Sequence, residues 1–231
     1  MTRQEQERRR RLQAKKAAYR KKVRKQLILF ITFFSLIILI IIFGAILLFK
    51  TLFHHEDINL AAIQMPDWIE QDFLTPNPYS RPGTPLLQAT GIVVHYTANP
   101  GTTAKQNRDY FNSLSETGDT SVSSHFVIGL DGEIIQCIPL TEISYASNQR
   151  NVDTVSIECC HPDETGKFTD ATYNSLVKLC AWLETQLDLK EKSIIRHYDI
   201  TGKMCPLYYV RYENQWDGLK SDIKKYRKDN Y

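Results

Sequence analysis

The sequence predicts an α/β domain, a central mixed β-sheet flanked by helices, preceded by a single N-terminal transmembrane helix. Three observations lead to this prediction. The run Leu27–Phe49 contains 23 residues and no charge. Beyond residue 90, short β-branched segments alternate with segments of helical periodicity, and an Asp-Gly pair between two apolar runs indicates a hairpin. About 150 residues follow residue 76, which is enough for one domain with a sizeable core.

Charge divides the chain into two unlike parts. Residues 1–50 contain 13 of the 29 Lys and Arg and only two acids, a formal charge of about +11, whereas residues 51–231 carry about −8. A helix of 23 apolar residues, at 1.5 Å per residue, is long enough to cross a hydrocarbon core of roughly 30 Å. We therefore expect a basic tail over residues 1–26, an anchor over 27–49, a spacer over 50–75 and a folded domain over 76–231.

The sequence favours an uncleaved anchor over a signal peptide. A signal peptide has a shorter apolar region with small residues near its end, and Ala61-Ala62 lies too far downstream to serve. The basic clusters Arg8–Arg11 and Arg20–Lys25 are typical of a cytoplasmic flank, so the C-terminal part is expected outside the cell membrane. The tail is also expected to touch anionic lipid headgroups. No nucleic-acid partner is expected, because Tyr19 is the tail's one aromatic residue and no binding module is recognisable.

Each element of the domain has its own signal. The prolines at 76, 78, 82 and 85 favour extended chain after the spacer. Gly91–Tyr96 is predicted as a buried strand, followed by a helix capped by Thr102-Thr103. That helix would place four residues on one face: Asn107, Tyr110, Phe111 and Leu114.

The second half of the domain continues the alternation. Asp131-Gly132 should supply the positive φ angles of a hairpin turn between strands His125–Leu130 and Glu133–Leu140. Val152–Cys160 is predicted as a strand, and Ile194-Ile195 as a shorter one. Two more helices are predicted from their apolar faces. The first begins at Asp170, and its apolar face contains Tyr173, Leu176, Val177, Cys180, Leu183 and Leu187. The second lies near the C-terminus, and its apolar face contains Trp216, Leu219, Ile223 and Tyr226.

Three residues have the side chains of a metal site. His95 ends the apolar run Ile92–His95, while His197 and Cys205 lie eight residues apart, separated by a polar, glycine-containing stretch that is predicted as a loop. Each of them alone is an ordinary residue, but together they are a conventional ligand set with zinc as the expected metal. Three protein ligands with a fourth position open are typical of a catalytic zinc site.

Two charged residues have both a structural and a chemical interpretation. Glu158 lies in an otherwise apolar strand, where it either faces solvent from an edge strand or acts as a general base whose pKa is raised by burial. Lys203 is either a surface lysine or, two residues from Cys205, a group that faces a developing oxyanion.

The remaining cysteines, at positions 137, 159, 160 and 180, allow up to two disulfides in an oxidising compartment. Reduced thiols in the core are the preferred interpretation, because free cysteine is commonly buried.

The chain resembles a known family in five ordered segments spread over about residues 77–210. They are Asn77–Gly83 (NPYSRPG), Ile92–Thr97 (IVVHYT), Ser123–Ile128 (SSHFVI), Val155–Glu158 (VSIE) and Arg196–Pro206 (RHYDITGKMCP). In these segments it is similar to the zinc-dependent N-acetylmuramoyl-L-alanine amidases of the type-2 group, which share a fold with peptidoglycan recognition proteins. The last segment is the most specific.

The resemblance implies roles for single residues. His95, His197 and Cys205 would be the zinc ligands, Glu158 would assist the attacking water, and Lys203 would stabilise the tetrahedral intermediate. The substrate would be peptidoglycan, cut between the lactyl group of N-acetylmuramic acid and L-alanine.

One position departs from part of the family. Ser124 stands where the phage lysozyme-type members carry a catalytic tyrosine, which leaves the proton-handling role to Glu158. His125 is interpreted either as a wall of the site or as a structural residue. The rival interpretations of the whole chain are a membrane-anchored module that binds or senses peptidoglycan without turnover, and a zinc hydrolase acting on a different amide.

Overall fold

The computed structural model describes residues 3–52 and 58–231, which fall into two compact units divided between residues 56 and 57. In the first unit, α1 (Arg3–Leu52) is a continuous helix, and almost all the apolar side chains of Leu27–Phe49 are exposed within that unit. Among the described residues, one stretch, Arg10–Phe49, contains a run long and apolar enough to cross a membrane. This stretch is a candidate membrane span by its length and composition, and a signal sequence has the same two properties.

The second unit is built on a six-stranded sheet. Its strands are β1 (Glu70–Gln71), β2 (Gly91–Tyr96), β3 (Phe126–Ile128), β4 (Ile134–Gln136), β5 (Thr154–Cys159) and β6 (Ile194–Arg196). Their order across the sheet is β1-β4-β3-β5-β2-β6. Every neighbouring pair is parallel except β3 with β4, which is antiparallel. The predicted mixed sheet is therefore confirmed.

Helices cover both faces of this sheet. They are α2 (Ala104–Thr117), α3 (Asp170–Gln186), α4 (His197–Thr201), α5 (Leu207–Arg211) and α6 (Glu213–Asn230). The larger apolar cluster joins α3 and α6 to one face, where Ile92 and Val94 of β2 are fully buried. A smaller cluster joins α2 to the other face through Phe111. Because side chains alternate along a strand, His95 projects from the face that α2 covers.

Local capping explains where α2 begins and ends. The Thr103 hydroxyl accepts a hydrogen bond from the Gln106 N–H at 3.2 Å, and the Gln106 side chain accepts one from the Thr103 N–H at 2.9 Å. Gly118 ends the helix with a left-handed φ of +62°. On the predicted apolar face Phe111 is buried, but Tyr110 is 50% exposed.

The predicted hairpin forms, with shorter strands than expected. The Gly129 N–H donates to the Glu133 carbonyl at 2.8 Å, and Gly132 has a φ of +86°. Asp131 does not take a positive φ, so the turn needs the left-handed conformation only at the glycine.

The segment before residue 76 differs most from expectation. The sequence predicted a spacer over 50–75, yet the described residues from 58 onward belong to the second compact unit, and Leu60, Ile69 and Leu74 are buried. β1 belongs to this segment and pairs with β4. Residues 53–57 of the predicted spacer lie outside the described part of the chain.

Candidate metal centre

The candidate site lies at the carboxyl ends of three adjacent parallel strands. His95 of β2 is in register with Glu158 of β5, and β6 ends at Arg196, immediately before His197. Because parallel strands all end at the same edge of a sheet, residues far apart in sequence meet there. β5 lies between β3 and β2, so the interpretation of Glu158 as a residue on an edge strand is wrong.

The stretch between His197 and Cys205 begins as a helical turn, where a loop was predicted. α4 spans His197–Thr201 and ends at Gly202, whose φ is +78°. The Asp199 carboxylate accepts the Arg196 N–H at 2.8 Å, which stabilises the first turn. The Tyr198 N–H then donates to the Cys205 carbonyl at 2.9 Å, so the chain folds back and returns Cys205 to His197.

The Arg196 side chain fixes the start of this turn. The side chain is 7% exposed, and its guanidinium donates to Asp199 at 2.8 Å, to Glu213 at 2.6 Å and to the Tyr209 carbonyl at 2.9 Å. These bonds tie the residue before His197 to α5 and α6. The backbone that presents the imidazole is thereby fixed on two sides.

The structure brings the three predicted ligands together. One ligand atom from each of His95, His197 and Cys205 lies within 4.8 Å of the others, and all three residues are buried. The Cys205 Sγ is 3.8 Å from the His95 Nδ1, and the two imidazole centroids are 4.8 Å apart. In a tetrahedral zinc site, bond lengths of about 2.1 and 2.3 Å place nitrogen and sulfur about 3.6 Å apart. The observed spacing therefore fits such a site.

Two unpaired atoms support this assignment. The Nδ1 of His197 and the Oε2 of Glu158 are buried and have no hydrogen-bond partner among the described residues. An unpaired buried polar atom is costly, and a cation held by the three ligands would account for both. Two nitrogens and one sulfur are also the donor set that zinc prefers. The residues present therefore fit zinc.

The electrostatics of the cluster favour neutral imidazoles. Burial, the neighbouring His197 and the Lys203 charge hold the pKa of His95 well below its usual value. Burial and Lys203 also lower the pKa of His197. Burial and Glu158 raise the pKa of the Cys205 thiol to about 12. A coordinating thiol loses its proton to bound zinc, so metal binding here is expected to release a proton.

Glu158 and Lys203 lie beside the three ligands in one cleft of about 370 Å³. Burial raises the pKa of Glu158 to about 8, and the Lys203 charge opposes this shift. A nearby divalent cation favours the carboxylate form, as a base requires. Lys203 is exposed at the cleft and acts electrostatically on both histidines and on Glu158.

Two residues at this site have no signal in the sequence. The Ser147 Oγ lies 3.3 Å from the Nε2 of His95, and the Asn148 Oδ1 lies 2.8 Å from the Nε2 of His197. Both belong to the short turn before β5, whose sequence Ser-Asn-Gln-Arg is unremarkable.

His125 and Ser124 belong to a buried hydrogen-bond cluster and do not line the cleft. The Ser156 N–H donates to the Nδ1 of His125 at 3.1 Å, so the Nε2 carries the proton and donates to the Glu142 carbonyl at 2.9 Å. The Ser124 hydroxyl donates to the Phe126 carbonyl at 3.0 Å. Of the two interpretations left open for His125, the structure supports the structural one.

All five cysteines lie in the described part of the chain, where each is buried and free of a disulfide. Burial raises the pKa of Cys160 to about 12. These observations agree with the preferred interpretation of core thiols.

Comparison with known proteins gives concordant results for sequence and fold. Residues 85–207 match the family model described as N-acetylmuramoyl-L-alanine amidase. The chain is 32% identical over 169 residues to the N-acetylmuramoyl-L-alanine amidase CwlL of Bacillus licheniformis, a match that covers 67% of this chain and 46% of that protein. The chain spans about half the length of the curated relatives it matches.

Two solved structures have the same fold as this domain. The catalytic domain of XlyA matches with a TM-score of 0.57 and 27% identity, covering 67% of this chain and 98% of that domain. The PlyG catalytic domain matches with a TM-score of 0.59, covering 69% of this chain and 94% of that domain. At 22% identity, the second likeness concerns the fold alone.

Proposed function

This chain belongs to the N-acetylmuramoyl-L-alanine amidase family, and on that premise we propose that it is a membrane-anchored zinc hydrolase that cleaves peptidoglycan. The bond cut is the amide between N-acetylmuramic acid and L-alanine. The observation that carries the proposal is the buried cluster of His95, His197 and Cys205, which lies in one cleft with Glu158 and Lys203.

Five residues of the site have distinct roles in the proposed amide hydrolysis. His95, His197 and Cys205 would hold zinc, which when bound supplies the Lewis acidity that polarises a carbonyl and strengthens water as a nucleophile. Glu158 takes the proton of the attacking water and delivers it to the leaving nitrogen. The Lys203 ammonium faces the charge that develops on the former carbonyl oxygen.

The main rival is a module that binds or senses peptidoglycan without turnover. Binding alone requires neither a thiol in the ligand set nor a carboxylate next to it. The Oε2 of Glu158 is buried, has no hydrogen-bond partner among the described residues and lies beside the three candidate metal ligands. A proton acceptor at the place where a reacting water would lie favours hydrolysis over binding without turnover.

Mass spectrometry of digested cell wall tests the hydrolase directly. The full chain in detergent micelles, loaded with zinc, is incubated with purified peptidoglycan. The expected products are new L-alanine amino termini on intact glycan strands. Tight binding to the wall without such termini would favour the rival, and cleavage at another amide would change the substrate.

We also propose that α1 anchors the enzyme, with the basic tail in the cytoplasm and the domain beyond residue 57 outside. The supporting observation is the uncharged run Leu27–Phe49 inside one continuous helix that begins at Arg3. Added protease should digest the domain in intact cells and should leave it intact in inverted vesicles. An amino terminus within residues 50–62 in the mature protein would show a cleaved signal sequence instead.

A further inference from the structure

We propose that the turn Ser147–Arg150 is a positioning device that holds both metal-ligating imidazoles in the correct tautomer and orientation. The inference rests on the proposed function only for the identity of the ligands, His95 and His197. Ser147 and Asn148 are positioning residues, because they act on the metal through the two histidines.

The geometry places two consecutive residues against the outer nitrogens of two different ligands. The Ser147 Oγ is 3.3 Å from the Nε2 of His95, and the Asn148 Oδ1 is 2.8 Å from the Nε2 of His197. The opposite nitrogen of each ring, Nδ1, is the one left for a metal. In His95, the Nδ1 lies 3.8 Å from the Cys205 sulfur. In His197, the Nδ1 is buried and has no hydrogen-bond partner among the described residues.

An oxygen at Nε2 decides which tautomer the ring adopts. Because the Asn148 Oδ1 can only accept, the Nε2 of His197 carries the proton, and in the neutral ring the Nδ1 then keeps its lone pair. The same holds for His95 when the Ser147 hydroxyl accepts. A hydrogen bond to the outer nitrogen also fixes ring orientation and raises the basicity of the ligand. At 3.3 Å, the Ser147 contact is expected to contribute less than the Asn148 contact.

The turn itself is held rigidly by its own hydrogen bonds. The Asn151 Oδ1 accepts the N–H groups of Ala146 and Ser147 at 3.1 and 2.6 Å, and the Arg150 N–H donates to the Ser147 carbonyl at 3.0 Å. The Arg150 side chain pairs with Asp153 at 2.8 Å. A turn fixed in this way can hold two oxygens in place before any metal arrives.

Backbone conformation restricts which residue can serve at position 148. Asn148 has a φ of +53°, in the left-handed region that asparagine, aspartate and glycine tolerate best. Of these three, only asparagine and aspartate offer a side-chain oxygen. This restriction supplies well-matched variants, because Asn148→Gly keeps the backbone and removes the acceptor, whereas Asn148→Asp keeps both.

Zinc affinity of the full chain in micelles, measured by competition with a chelator, tests the proposal. Asn148→Gly is expected to weaken zinc binding about 10- to 100-fold, and Ser147→Ala by less. Asn148→Asp should bind zinc at least as tightly as the wild type. Gln149→Ala is the matched control, because Gln149 lies in the same turn and, among the described residues, the histidine contacts come from Ser147 and Asn148 instead. Tryptophan fluorescence of each apoprotein shows whether it is folded.

A spectroscopic readout separates positioning from a general loss of structure. In the cobalt-substituted protein, Asn148→Gly should alter the visible ligand-field bands, and Asn148→Asp should restore bands close to those of the wild type. The proposal is overturned if folded Asn148→Gly and Ser147→Ala both bind zinc within twofold of wild-type affinity. A wild-type protein that binds zinc but leaves peptidoglycan intact would contradict the proposed function and leave the positioning role standing.

Discussion

His125 should make the stability of the domain depend on pH in a calculable way. Its ring is fully buried, the Nδ1 accepts from the Ser156 N–H at 3.1 Å, and the Nε2 donates to the Glu142 carbonyl at 2.9 Å. A second proton on Nδ1 would destroy the first bond and place a charge in the interior. Burial accordingly lowers the pKa of His125 from 6.5 to about 4, opposed by the Glu142 carbonyl and charge.

The sign and size of the effect follow from linkage. A histidine whose pKa is lowered by folding binds more protons in the unfolded state, so its contribution is complete above pH 6.5 and is lost as pH falls. The pKa of His125 falls from 6.5 in the unfolded chain to about 4 in the folded domain, which corresponds to about 3 kcal/mol of folding stability. The whole of this contribution is lost only at a pH well below 4. About 2.5 kcal/mol of this should be lost by pH 4.5.

Urea unfolding of the zinc-loaded full chain, followed by tryptophan fluorescence, measures this loss. All three tryptophans lie beyond residue 57, so the signal reports the domain. His125→Gln removes the titrating ring and should be less stable than the wild type at pH 7.5. The gap between the two proteins should narrow by about 2–3 kcal/mol at pH 4.5, because only the wild type has a group at position 125 that takes up a proton in the unfolded state.

A control variant separates titration from simple loss of a hydrogen bond. The Ser144 Oγ lies 2.7 Å from the Ser156 Oγ in the same cluster. Ser144→Ala should reduce stability by about 1 kcal/mol equally at both pH values. If the gap between the wild type and His125→Gln stays constant from pH 7.5 to 4.5, the argument from burial is refuted.

Three further predictions concern the chemistry and the hairpin. Glu158→Gln should keep one zinc per chain while kcat for wall hydrolysis falls about 10²- to 10⁴-fold, and unchanged kcat would remove Glu158 as the proton carrier. Lys203→Met should lower kcat about 10²-fold at unchanged zinc content, whereas an effect on KM alone would assign Lys203 to substrate binding. Gly132→Ala should destabilise the domain by at least 1–2 kcal/mol in urea unfolding, because φ is +86° and the new methyl would lie 2.9 Å from the Ala171 carbonyl oxygen. Gly218→Ala is its control, since the helical Gly218 faces open space and the change should stabilise by up to about 1 kcal/mol; equal effects at both glycines would contradict the hairpin geometry.

The elements that the sequence predicts best are those with strong, uninterrupted patterns. β2 runs from Gly91 to Tyr96 as expected, because its β-branched run is buried on both faces. α3 begins at Asp170 as expected, since its apolar period is sustained over four turns. The three candidate ligands are predicted from residue type and spacing, and the resemblance to a known family implies their roles. Parallel strand order then brings His95 to the other two candidate ligands.

The elements and site residues that the sequence did not predict depend on tertiary contacts, and such contacts leave no local pattern in the sequence. β1 is only two residues long, and its pairing with β4 cannot be read from Glu70-Gln71. α4 is a single turn stabilised by the Asp199 carboxylate and by the folding back of Cys205, and its polar sequence is equally typical of a loop. Ser147 and Asn148 are common turn residues, and only the folded chain places them beside the two histidines.

The central claim is that one zinc ion is held by two imidazoles and one thiolate. X-ray absorption at the zinc edge of the loaded full chain tests it most directly, because scattering distances separate sulfur from nitrogen. The account predicts one sulfur at about 2.3 Å and two nitrogens at about 2.0–2.1 Å, with the sulfur lost in Cys205→Ala. A spectrum with no sulfur, or one unchanged by Cys205→Ala, would contradict it.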